Sequence, residues 1–141
     1  MSSLTRLEAR SALAEVLFLS GLFDLARIGV PNRQLDDAPS GEEPWCRVAY
    51  SDGTNERRTI GKRARYMRSA RFVVQVFVAQ GSGYATALNL AESVAALYEG
   101  TDGGCLSLGA PNVEDIGVSD GWYQFNVSCT YDFSVMAGQW V

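Results

Sequence analysis

The run of residues 122–133 constrains the fold more than any other part of this chain. Tyr123, Phe125, Val127, Cys129, Tyr131 and Phe133 alternate with Gln124, Asn126, Ser128, Thr130 and Asp132. A period of two places one set on each face of a strand. A strand with one apolar and one polar face belongs in an antiparallel sheet whose second face meets water or an interface. A second run, Phe72-Val73-Val74-Gln75-Val76-Phe77-Val78, is apolar on both sides apart from Gln75. It predicts a central strand within residues 66–79, covered at least in part on both faces.

Two helical patterns flank these strands. Thr5 and Glu8 have capping-box spacing, with Ser2 or Ser3 as alternative caps, and Leu4, Leu7, Ala14, Leu17 and Phe18 recur at helical intervals. They predict an N-terminal helix over residues 1–20, ended or bent at Gly21. Tyr84, Ala87, Leu88, Ala91, Val94, Ala95 and Tyr98 form one stripe, predicting a helix over 83–99 with Ser82 or Gly83 as its cap and Gly100 as its stop. Residues 22–44 are rich in loop formers. Leu22, Phe23, Leu25 and Ile28 suit a short helical turn before Pro31, Pro39, Gly41 and Pro44 break the pattern. Residues 45–50 read as a strand closed by Ser51-Asp52-Gly53, and short strands are expected around 105–108 and 113–118. The order α-β-β-β-α-β-β-β predicts an α+β fold: one domain over 1–141, a mainly antiparallel sheet with helices packed on one face, and residues 45–135 holding the sheet and second helix.

A chain of 141 residues buries roughly two thirds of its unfolded surface, so the core needs neither disulfides nor metal. Cys46, Cys105 and Cys129 are widely spaced and odd in number, without a CxxC pair. They are expected to be reduced, small hydrophobes. The apolar run Val16 to Leu19 is far too short for a bilayer, and Glu8 and Glu15 disagree with a signal peptide. Folding in the cytoplasm is the expectation. Histidine is absent, which removes Ser-His-Asp and Cys-His catalysis and histidine metal sites. The chain is read as a non-enzyme.

Three features bear on chemistry. Gly81-Ser82-Gly83 lies between strand and helix as a dinucleotide-binding turn would, but Thr86 stands where the third glycine belongs. A tight strand-to-helix connection is the simpler account. Asp36, Asp37, Glu42 and Glu43 lack EF-hand spacing and read as solvated loop acids. Glu114 and Asp115, adjacent on a strand, point to opposite faces and make a poor catalytic pair.

Charge is unevenly placed. From Glu56 to Arg71 stand seven basic residues (Arg57, Arg58, Lys62, Arg63, Arg65, Arg68 and Arg71) and one acid, a local net of +6. The whole chain is −4, leaving −10 on the rest. Three readings stay open for this ribbon. It contacts nucleic-acid phosphates, it pairs with the acidic body of a neighbouring subunit, or it is a solvated loop and edge strand kept soluble by charge. Only Tyr66 interleaves the basic residues, which is thin for a single-strand binder.

Residues 57–100 also carry a resemblance. A basic loop with Gly61 leads to Tyr66-Met67-Arg68, the strand Phe72 to Val78, the turn Gly81-Ser82-Gly83, a helix bearing Ala87, Leu90 and Ala91, and Tyr98-Glu99-Gly100. This series resembles the tail terminator (tail completion) proteins of long-tailed siphophages and related prophages. Pro44-Trp45 at a strand start and the run 122–133 suit the same layout. The resemblance implies an α+β subunit forming a hexameric ring on the head-proximal end of the tail tube, where it stops tube polymerisation and offers a face to the head-completion or neck protein. It implies genomic DNA passing through the channel without sequence-specific binding, residence in the virion tail after assembly in the host cytoplasm, and no cofactor, catalysis or membrane. Under it, Arg57, Arg58, Lys62, Arg63, Arg65 and Arg68 are expected at a subunit boundary or ring face. The alternatives are another phage neck or tail protein of head-closure type, a basic nucleic-acid-binding module, and a nucleotide-binding domain using the glycine turn.

Overall fold

The computed structural model describes residues 4–31, 43–61, 64–99, 106–136 and 138. The elements run α1 (Arg6–Phe18), a 3-10 turn (Leu25–Arg27), β1 (Ile28–Gly29), β2 (Trp45–Arg57), β3 (Arg65–Ala79), α2 (Tyr84–Tyr98), β4 (Leu106–Leu108), β5 (Asn112–Ser119) and β6 (Trp122–Met136). This is the expected α+β order. The six-stranded sheet is ordered β1-β2-β3-β6-β4, and β5 pairs with β6 beside β4. Among the described residues only β1 on β2 is parallel.

The apolar row of β6 decides where the helices lie. Phe125, Val127, Cys129, Tyr131, Phe133 and Val135 are buried, and register pairs them with Val76, Val74, Phe72, Ala70, Arg68 and Tyr66 of β3. From above, α2 contributes Ala87, Ala91, Val94, Ala95 and Tyr98, and α1 contributes Ala9, Leu13 and Leu17. Phe72 and Tyr98 bring their rings to 4.6 Å, and the Tyr98 hydroxyl donates to the Leu13 carbonyl at 2.9 Å, tying the helices together over the sheet. Small residues on α2 let the helix approach closely while the aromatics of β6 fill the space. The other face carries Gln75, Gln124, Asn126, Thr130 and Asp132, with neither helix across it.

Local signals act as their chemistry dictates. Thr5 caps α1: its hydroxyl accepts from the Glu8 amide at 3.2 Å, and the Glu8 carboxylate accepts from the Thr5 amide at 3.3 Å. Asp120 and Gly121, both at positive φ, make the two-residue turn joining β5 to β6. Cys46 and Cys129 are buried, reduced thiols, while Cys105 lies outside the described residues.

Two expectations need correction. Ser51-Asp52-Gly53 does not close the strand begun at Trp45, because β2 runs on to Arg57 through a bulge in which Gly53 and Thr54 stand opposite Ser69. A Cβ at Gly53 would sit 2.5 Å from the Ser69 carbonyl oxygen, so the bulge needs glycine for close approach. The bulge also reverses the alternation, putting Asn55 and Arg57 on the face of Asp52. In α1 the covered stripe is Ala9, Leu13 and Leu17, while Leu7 is 71% exposed. Of the expected stripe, Leu17 enters the core and Leu4 and Phe18 pack against it, whereas Leu7 faces outward.

Gly53→Ala is expected to destabilise the fold by about 1–3 kcal/mol, measured by urea denaturation, because the Ser69 backbone must move. Alkaline pH is a second test. Burial pushes the Cys46 thiol up to about 12. Burial first, then Tyr131, push the Tyr50 phenol up to about 12 against a smaller opposing pull from Arg10. The unfolded chain releases these protons at about 9 and about 10, before the folded chain does. Their contribution is therefore complete below about pH 9 and lost as pH climbs toward about 12. The urea midpoint should fall steadily from pH 9 to pH 11.

Candidate functional site

The basic residues gather where β2 and β3 continue as a hairpin arm. All of β2 from Ser51 to Arg57 is exposed, although β3 pairs with it along the way. The tip is fixed by its own polar groups. Arg57 donates from Nε to the Thr59 carbonyl at 2.9 Å and from Nη2 to the Gly61 carbonyl at 3.2 Å. The Arg65 amide donates to the Thr59 hydroxyl at 2.6 Å, and the Arg58 amide to the Arg65 carbonyl at 2.7 Å. Between them Ile60 is 97% exposed.

The six candidate residues divide by position. Arg57 holds the tip turn, and Arg58 forms an exposed ion pair with Glu56 at 3.2 Å. Arg65 donates to the Ser134 hydroxyl at 3.3 Å, joining the arm to the end of β6. Arg68 is buried opposite Phe133 at the root of the arm, where burial and then the neighbouring Arg6 pull its pKa below the ordinary value. Lys62 and Arg63 lie outside the described residues. Arg71, the seventh basic residue, stands exposed on the face without helices.

Beside the arm root, Asp52 receives Arg10 at 3.2 Å and Arg6 at 3.4 Å. Arg10 lies over the Tyr50 ring at 4.9 Å, and its carbonyl accepts from the Tyr50 hydroxyl at 3.0 Å. These contacts fasten α1 to the outer edge of the sheet. Exposed pairs of this kind contribute little stability singly, so their effect is orientation. Between α1 and that edge runs an open groove of about 350 Å³, lined by Leu7, Ala14, Phe18, Val30 and Tyr50 among others.

At the opposite end of the sheet Tyr84, Tyr123 and Phe125 form an aromatic cluster, with Tyr84 and Tyr123 at 5.9 Å. The Tyr123 hydroxyl donates to Asp115 at 2.8 Å, a bond that holds the phenol up at about 12. Ile116 and Val118 of β5 are exposed beside it. Glu114 pairs in register with Asn126 and Asp115 with Phe125, so the two carboxylates face opposite ways as expected.

The glycine turn is a connection. Gly81 and Gly83 take positive φ, the Ser82 amide donates to the Ala79 carbonyl at 3.1 Å, and Gly83 caps α2 without a side-chain bond. The strands after α2 are antiparallel to β6, unlike the parallel crossover of a dinucleotide fold. Asp36, Asp37 and Glu42 lie outside the described residues, whereas Glu43 is exposed. Among the described residues no three metal-ligating side chains cluster, and no helix is long and apolar enough to cross a membrane. Reading the arm by charge alone missed Ile60. An aliphatic residue inside a basic, glycine-containing loop was the signal that marks it.

The comparisons bear on the whole chain. No curated protein matches it. Among matching solved structures, one shares 19% identity with a TM-score of 0.55, covering 87% of this chain and 94% of its own. At that identity the likeness concerns the fold. A sequence model described as phage tail terminator protein matches residues 10–131, which span the arm, most of α1, all of α2 and nearly all of the sheet. The chain belongs to the phage tail terminator family.

Proposed function

We propose that this chain caps the head-proximal end of the tail tube as a ring of its own copies, probes no substrate, and leaves a docking face for the head-completion protein. Family membership supplies the tail-assembly role. The observation that carries the ring is the projecting arm. Its surroundings in sequence hold +6 while the rest of the chain holds −10. A patch that cannot complement itself joins a different patch on the next copy, and such heterologous contacts close into rings when the rotation suits. Six copies is the number the reading carries.

Arg57, Arg58, Lys62, Arg63, Arg65 and Arg68 belong to the subunit boundary or ring face in this reading, with unequal parts. Arg58 at the exposed tip meets the neighbour most directly. Arg57 and Arg65 keep the arm in shape, and buried Arg68 supports its root. The tail tube protein occupies one ring face and the head-completion protein the other. Genomic DNA passes through the channel held by general electrostatics, without base recognition. Assembly proceeds in the host cytoplasm, ending at the head-proximal tip of the virion tail, with no membrane and no cofactor involved.

Electron microscopy of tails assembled without this protein tests the reading. Overlong tubes without heads are expected, and tails of normal length joined to heads would end it. Charge provides a finer test. Arg58→Glu together with Arg65→Glu should weaken ring formation about tenfold or more in 0.1 M salt, measured by analytical ultracentrifugation or tube capping. Raising salt toward 1 M should weaken the native ring and narrow the difference.

A further inference from the structure

We propose that the Ile60 tip of one copy's hairpin arm seats in the apolar groove between α1 and β2 of the next copy; this rests on the ring reading above and specifies its contact. Three observations meet. Ile60 is 97% exposed on a turn whose shape is fixed by Arg57 and Thr59. The groove is lined mainly by apolar side chains, Leu7, Ala14, Phe18, Val30 and Tyr50 among them, with Arg10 and Ser11 also on its wall and Leu7 itself 71% exposed. Leu7, Ala14 and Phe18 recur at helical spacing, a stripe of the kind that is normally covered. Among the described residues, one copy thus displays an apolar knob and, away from it, an open apolar groove.

The tip does not reach its own groove. Seven residue steps of β2, through the bulge, lead from Tyr50 to Arg57, roughly 23 Å at the rise of a strand. Charge agrees with a second copy as occupant. Glu8 and Glu15 are exposed and stand one turn-step aside from the Leu7–Phe18 stripe, on the rim away from the sheet. They would face Arg58, whose exposed pairing with Glu56 exchanges easily. On the inner rim Asp52 pairs with Arg6 and Arg10, which offsets part of their charge where Arg10 meets the groove. A knob on one surface and its hole on another make a contact that repeats head to tail.

Cysteine pairing on assembled tails tests the contact. Ile60→Cys and Leu7→Cys chains mixed in equal amounts on tail tubes should give disulfide-linked dimers under mild oxidation, whereas either variant alone and the native chain should not. In parallel, Ile60→Asp should lower ring affinity about tenfold to a hundredfold, the loss expected when a buried aliphatic contact is removed. Its thermal midpoint should stay native, because the side chain touches solvent in the single copy. Tails correctly terminated by the cysteine variants without the cross-link, or by Ile60→Asp at native affinity, would overturn this contact while leaving the ring standing. Tails of normal length in the complete absence of the protein would overturn both.

Discussion

The antiparallel ladder between β3 and β6 governs the rest of the molecule. Every residue from Arg65 to Ala79 has a partner between Trp122 and Met136 without a break in register. Because side chains alternate, sliding this ladder by one residue would turn Phe125, Val127, Tyr131 and Phe133 to the face without helices. Register and core are therefore one decision. Once it is made, α1 and α2 have one apolar surface to cover, and β2 and β5 add to the two sides of a pair already fixed.

The legible parts of the fold were those where one period dominated. The β6 alternation, the apolar β3 run and the α2 stripe each predicted an element and its buried face. The Thr5–Glu8 box marked the start of α1 because capping is local chemistry. What failed was local pattern overruled by distant structure. Gly53 read as a turn because glycine suits turns, but here its missing side chain lets two residues of β2 bulge against Ser69. The face of α1 was legible only in part for a similar reason. The expected stripe held the buried Leu17, but Ala9 and Leu13 enter the core where Leu7 does not, and only the position of the sheet chooses between them.

The candidate surface was legible as charge and illegible as geometry. A count of arginines located the arm but could not assign each guanidinium its work. Arg57 holds a turn, Arg65 meets Ser134, and Arg68 is buried at the root. These are different tasks performed by one residue type, separated by a bulge that moves Arg57 to the face of Asp52. Membership of the tail terminator family places an arm built in this way in a protein of phage tail assembly.

The bonds that Arg57, Arg65 and Thr59 make within the tip have a thermodynamic consequence. A loop that becomes ordered only on meeting its target loses conformational freedom at that moment, and affinity falls accordingly. Here that freedom is surrendered when the polypeptide folds. In the ring proposed above, the bonded part of the tip would then meet its partner without losing that freedom on contact.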